Sequence, residues 1–148
     1  MNEPSEKLIY PIGIVAKLLE VSVHTIRLYE REGLILVQKT ESGRRIFCDR
    51  DVERLRCIRR MILDKGLNLQ GIKHLLAIMP CWQINPDCFA KDFQTCPAYR
   101  FTEAPCWTLE DKPEVCKNVD CYQCPVYQQP VDCNTIKKMF HERDQLQN

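Results

Sequence analysis

The sequence predicts a mainly α chain of two unlike parts. A periodic, helical front part carries a small β-hairpin, and an irregular, cysteine-rich back part ends in a short helix. Three observations predict this division. All five glycines (13, 33, 43, 66 and 71) precede residue 72, whereas seven of the nine prolines lie at or after Pro80. Eight of the ten cysteines fall in residues 81–148. Charge divides at the same place: residues 1–80 hold 14 Lys+Arg against 10 Asp+Glu, and residues 81–148 hold 7 against 10. The boundaries follow as a front domain over 8–79, a cysteine-rich module over 80–133 and a helical tail over 134–148. At 148 residues, 45% apolar and 28% charged, the chain is long enough for one domain or two small ones and is globular in composition.

The front elements follow from periodicity and from their ends. Ile12, Val15, Ala16 and Leu19 form the i, i+3, i+4, i+7 stripe of a short helix, with Pro11 suited to its first turn. Val21-Ser22 turns the chain, and Ser22 can cap a second helix, Val23–Glu32, for which Gly33 is the C′ residue. Two short helices across a tight turn make a helix-turn-helix. Leu34–Val37 and Arg45–Phe47 read as β segments around Lys39-Thr-Glu-Ser-Gly43, a small wing. Asp49 caps a third helix bearing Val52, Leu55, Ile58 and Ile62 and ending near Gly66. Asn68 caps a fourth, with Leu69, Ile72, Leu76 and Met79, stopped by Pro80. After that, periodicity returns only over Cys133–Leu146, where Ile136, Met139 and Phe140 form a partial stripe.

A second helix bearing His24, Thr25, Arg27 and Tyr29, followed by a wing with Lys39, Arg44 and Arg45, suits DNA. The major groove admits a helix, and flanking arginines and hydroxyls can hold phosphates and fix register. The same residues also fit an ordinary solvated surface. The longer string decides between these readings. Ile12-Gly-x-Val-Ala-Lys, Thr25-Ile-Arg-Leu-Tyr-Glu-Arg-Glu-Gly33-Leu, Thr40-Glu-Ser-Gly43-Arg-Arg and Asp51-Val-Glu-Arg-Leu-Arg56 together resemble the MerR family of transcriptional regulators. Leu28 before Tyr29 and Asn68-Leu-Gln-Gly71-Ile are closest to its HspR-like branch. The resemblance covers residues 8–79. It implies a winged helix-turn-helix that binds double-stranded promoter DNA as a homodimer, with RNA polymerase as a further partner. It also implies DNA contacts at Arg27, Tyr29, Arg44 and Arg45, with His24 and Thr25 placed for base-edge or phosphate contacts. Family members often distort an overlong promoter spacer, a shape-dependent form of recognition. One departure is expected to change the dimer: Pro80-Cys81 stands where members continue into a long coiled-coil helix.

The back part is a duplication. Cys81-Trp82, Cys88, Cys96-Pro-Ala-Tyr99 is followed by Cys106-Trp107, Cys116, Cys124-Pro-Val-Tyr127, with Cys133 closing the second unit and Cys121 extra. In both units seven residues separate the middle cysteine from Cys-Pro-x-Tyr. The pattern resembles the two-CW cysteine module. Residues 81–133 hold no glycine, six prolines and little periodicity, and so long an irregular segment needs a source of stability beyond apolar burial. Thiolates gathered on a metal supply it, ~10–16 kcal/mol for a structural zinc site. Candidate ligands are Cys81, Cys88, Cys96, Cys106, Cys116, Cys121, Cys124 and Cys133. Trp82, Trp107, Tyr99 and Tyr127 are candidates for an apolar shell around the centre. No histidine lies between residues 81 and 133, so the centre is expected to be all-sulfur. Cys116-x4-Cys121-x2-Cys124 matches the local spacing of plant-type [2Fe–2S] proteins, which favours an iron–sulfur cluster. Zinc, with one CxxC knuckle at Cys121–Cys124, is the alternative, and thiol–disulfide switching without metal is a third reading. Outside this set, Cys48 reads as a strand-end residue, Cys57 as a core or helix-face residue, and His74 and His141 as helix-surface residues.

The start, Met1-Asn-Glu-Pro-Ser-Glu-Lys7, has no apolar signal core, and no run approaches the ~20 apolar residues of a membrane span. The expectation is a cytoplasmic regulator that is neither an enzyme nor a membrane protein. Its cysteine module is expected to sense redox state, oxidant or metal. The competing reading makes that module a zinc-stapled dimerisation or partner-binding domain.

Overall fold

The computed structural model describes residues 8–79, 84, 96–100, 103–110, 112, 116 and 119–129. Strand β1 (Tyr10–Pro11) leads into helix α1 (Ile12–Leu19), and helix α2 (Val23–Arg31) follows. Strands β2 (Gln38–Lys39) and β3 (Arg45–Phe47) form the wing, and helices α3 (Asp49–Leu63) and α4 (Leu69–Ala77) complete the front part. The back part contributes two short helices, α5 (Pro97–Arg100) and α6 (Pro125–Gln128), and two 3-10 turns at Cys106–Thr108 and Cys121–Gln123. The chain is therefore mainly helical with a small antiparallel sheet in the order β1-β3-β2. Among the described residues no helix is long and apolar enough to cross a membrane.

Helix ends form where the sequence places its capping chemistry. Ser22 Oγ accepts from the Thr25 amide at the start of α2, and Asn68 Oδ1 accepts from the Gly71 amide at the start of α4. Gly33 takes φ +75° just past the end of α2, a conformation open to glycine at no steric cost. At α3 the cap is Cys48 rather than Asp49, and Asp51 Oδ2 accepts from the Cys48 amide. Cys48 thus serves as a helix cap as well as ending β3. Cys57 is buried on α3, and His74 is exposed on α4, as expected. His141 and the helix expected over Cys133–Leu146 lie outside the described residues.

The sheet departs from expectation at two places. Pro11 is the N-cap of α1 and part of a third strand, β1, which pairs Tyr10 with Phe47 and Pro11 with Ile46. The first wing strand is Gln38–Lys39, paired with Ile46 and Arg45, and not Leu34–Val37. The reason is competition for backbone groups. The Gly33 carbonyl accepts from Trp107 Nε1 at 2.7 Å, and the Leu34 carbonyl accepts from Arg54 Nε at 3.0 Å. The Leu36 amide donates to the Tyr127 hydroxyl at 2.8 Å. A segment whose polar groups are held by side chains cannot also run a β ladder.

One core joins the two parts. Val15, Ile26, Leu34, Phe47, Leu55 and Ile58 fill its centre, and Trp107, Tyr122, Val126 and Tyr127 from the cysteine-rich part belong to the same cluster. The back part docks through short, locally specified pieces. Buried Pro105 precedes the Cys106–Thr108 turn, Asp120 caps the turn that carries Tyr122, and Pro125 opens α6, where proline's missing N–H is no loss.

Candidate nucleic-acid interface

Helix α2 exposes His24, Arg27 and Arg31, spaced to lie along one face. Arg31 joins the predicted His24 and Arg27 on this face, and its position four residues after Arg27 was a signal available in the sequence. Thr25 is half-buried, and its hydroxyl lies 3.0 Å from Ser22 Oγ, within the helix cap. Tyr29 requires a correction. Its side chain is only 3% exposed and lies in the core, because the apolar side of α2 runs through Ile26 and Tyr29. It supports the recognition helix from below and is not an open contact residue.

The wing tip is a tight turn. The Gly43 amide donates to the Thr40 carbonyl, the Thr40 amide donates to the Arg44 carbonyl, and Gly43 sits at φ +84°. Lys39 and Arg44 are exposed on it. Arg45 is half-buried, and its Nε pairs with Glu30 Oε2 at 2.6 Å. That pair ties the wing to α2 and gives Arg45 a bracing role inside the protein. At the far end of α2, Glu32 pairs with Lys73 of α4. The recognition helix is therefore held on both sides by ion pairs while its basic face stays open.

The cysteine-rich part grips the segment between α2 and the wing. Trp107 reaches the Gly33 carbonyl, and the Tyr127 hydroxyl accepts from the Leu36 amide and donates to the Leu36 carbonyl at 3.4 Å. The Trp107 and Tyr127 rings meet edge to face at 5.1 Å, and Tyr122 lies 5.8 Å from Tyr127. Arg54, 8% exposed, lies over both rings, 4.0 Å from the Tyr127 centroid and 5.2 Å from Trp107. Its Nη1 donates to the Tyr127 carbonyl at 2.5 Å. The Tyr122 hydroxyl donates to Asp51 Oδ1 at 2.9 Å, beside Cys48 Sγ at 3.4 Å.

These buried groups titrate away from their ordinary values. Burial pushes the Tyr122 phenol up, helped by its bond with Cys48 and the charge of Asp51. Burial raises Tyr127 as well, against the opposing pull of the Arg54 guanidinium. Burial lowers the Arg54 guanidinium. The folded state thus holds the two phenolic protons more tightly than the unfolded chain does. The resulting stability is fully present below the ordinary phenol value of about 10 and is lost as pH rises above it. Urea unfolding followed from about pH 8 to about pH 11 should show a steep alkaline loss, and Tyr122→Phe should flatten it. A flat profile in the parent chain would contradict this.

The predicted ligands divide. Cys96 is buried, and Cys106, Cys116, Cys121 and Cys124 are half-buried. Cys121 Sγ accepts from Lys112 Nζ at 3.1 Å and faces a cleft of about 380 Å³ that also borders Leu36 and Gln38 of the wing stem. Among the described residues no three His, Cys, Asp or Glu side chains stand close enough to hold a metal ion. Cys81, Cys88 and Cys133 lie outside the described residues. The described thiols therefore form no metal site by themselves.

The model of the MerR HTH family regulatory protein matches residues 10–77. GlnR of Bacillus anthracis, an HTH-type transcriptional regulator, is 43% identical over 68 residues, covering 46% of this chain and 52% of GlnR. ZntR of Escherichia coli, another HTH-type transcriptional regulator, is 39% identical over 70 residues, covering 47% and 49%. The putative heat shock protein HspR of Streptomyces coelicolor is 34% identical over 70 residues, covering 47% and 46%. The chain thus spans about half the length of these relatives. A crystal structure of HiNmlR, described as a MerR family regulator lacking the sensor domain and bound to promoter DNA, aligns at TM-score 0.38. It shares 30% identity over 42% of this chain and 47% of that chain. The caps, wing and recognition helix described above fall inside residues 10–77, the span over which this chain matches the MerR HTH family.

Proposed function

We propose that this chain is a transcriptional regulator that binds promoter DNA as a homodimer, with its cysteine-rich part acting as the sensor. The observation that carries this reading is the open basic face of His24, Arg27 and Arg31, continued by Lys39 and Arg44 on the wing. In the mechanism, α2 enters the major groove while the wing places its cations on flanking phosphates. The Glu30–Arg45 pair keeps helix and wing at one spacing, so both engage a single stretch of duplex. RNA polymerase is the further partner this role implies.

The sensor half of the proposal rests on donor chemistry. The repeated cysteines make an all-sulfur set, for which an iron–sulfur cluster is favoured and zinc is the alternative. Such a group would supply a response to redox state, oxidant or metal. Visible absorption and metal content of protein purified without oxygen separate the two. Iron with sulfide and colour supports the cluster, colourless zinc protein supports the structural alternative, and metal-free folded protein overturns both.

DNA binding is tested by letting the purified chain select from random duplexes. Arg27→Ala should weaken binding to the selected duplex by about 1–3 kcal/mol if it reads a base. Arg44→Ala should lower affinity across sequences and flatten the salt dependence. Selection of no sequence, or parent-like binding by both variants, would overturn the assigned face.

A further inference from the structure

The residues that dock the cysteine-rich part stand beside its cysteines. Trp107 follows Cys106, Tyr122 follows Cys121, and Tyr127 lies one turn into the helix that Cys124 caps. Their contacts fall on a narrow target. Trp107 binds the carbonyl of Gly33, the residue that ends the recognition helix, and Tyr127 binds both backbone groups of Leu36, two residues before the wing strand. Thr108 stands so close that a Cβ on Gly33 would meet its Cγ2 at 2.4 Å. Arg54 completes the clamp by bridging the Leu34 and Tyr127 carbonyls.

The two repeats differ here. Tyr127 of the second is 4% exposed in the shared core, whereas Tyr99, its counterpart in the first, is 40% exposed and outside the core. Among the described residues, the second repeat's tyrosine holds the helix–wing connection.

We infer that Trp107 and Tyr127 are positioning residues for DNA recognition: they set where the wing stands relative to the recognition helix, by holding the Gly33–Leu36 backbone from the cysteine-rich part. The route from that part to the DNA face therefore runs through Gly33 and Leu36. The backbone at residues 106, 121 and 124 is what any change at those thiols moves first, and it carries the three rings directly. Coupling of two sites needs an element whose arrangement both can bias, and this connection is such an element.

The inference rests on the DNA-binding reading, and its test keeps the two apart. The full chain is compared with Tyr127→Phe and Trp107→Phe, which keep an aromatic ring and delete the polar contact. Tyr122→Phe serves as the control, since it loses a bond to the Asp51 side chain and none to the Gly33–Leu36 backbone. The first readout needs no DNA: amide exchange across residues 34–46 should accelerate in the Tyr127 and Trp107 variants and not in the control. The second uses the duplex that the parent selects from a random library. Tyr127→Phe should weaken binding about tenfold, within the usual range of coupled sites. Combined with Arg44→Ala it should cost little beyond the larger single effect, because a displaced wing has already lost its phosphate contact. Unchanged exchange across residues 34–46, or losses that simply multiply in the double variant, would overturn the inference. A parent chain that selects no duplex would count against the DNA reading alone, and the exchange result would still decide the positioning role.

Discussion

A chain ending at Met79 will not hold the fold of residues 10–77. The expectation is counterintuitive, because the family match ends at residue 77 and the front part has its own caps, helices and wing. The core, however, is completed from outside that span by Trp107, Tyr122, Val126 and Tyr127. Removing one large buried aromatic costs about 3–5 kcal/mol, and three would be lost together. That sum matches the ~5–15 kcal/mol that holds a typical domain. The loss also strips partners from the Gly33 carbonyl, the Leu36 amide and the Asp51 carboxylate. Circular dichroism melting of this fragment should show no cooperative transition at a temperature where the full chain is folded. Parent-like melting would show that the front part is self-sufficient. Dimerisation must accordingly be measured on the full chain.

Arg54→Ala should be among the most damaging single substitutions. The guanidinium is buried against two rings and donates to two carbonyls, those of Leu34 and Tyr127. Hydrogen bonds from a charged donor contribute about 1.5–3 kcal/mol each, so losing both costs about 3–6 kcal/mol. Arg54→Lys should recover little of this. An ammonium cannot reach two divergent acceptors while lying flat on an aromatic face. Urea unfolding of the three proteins checks both statements. A lysine variant as stable as the parent would show that the clamp depends on charge alone. The Arg54 Nη2 atom is buried without a hydrogen-bond partner among the described residues, so part of the guanidinium's desolvation is uncompensated. The lowered Arg54 value follows from the same burial.

The helices of the front part were legible because their signals are local. Ser22 and Asn68 cap where serine and asparagine before an apolar stripe are expected to cap, and Gly33 ends α2 with the positive φ that glycine tolerates. The exposed arginines of α2 and the wing were legible for the same reason, since helical spacing and a turn at Gly43 determine which side they face. Tyr29 was misplaced by the motif because a motif assigns a position, while burial decides which way a ring at that position points. Its neighbour Ile26 is fully buried on the same side of the helix, and the pair forms the apolar face. The Glu30–Arg45 pair spans two elements and has no local signature.

The sequence by itself determined the helix-turn-helix, the Ser22 and Asn68 caps and the exposure of Arg27 and Arg44, all of which depend on residues within a few positions of one another. Only the tertiary structure decided that the second repeat belongs to the core of the front part. It also decided that Leu34–Val37 is a held connection and not a strand, and that Arg54 is buried instead of solvated. Those outcomes depend on contacts across 70 or more positions, such as Leu36 with Tyr127 and Arg54 with Tyr127. A buried backbone group takes whichever partner folding brings to it, and the partners here lie far along the chain, beyond the reach of any local pattern.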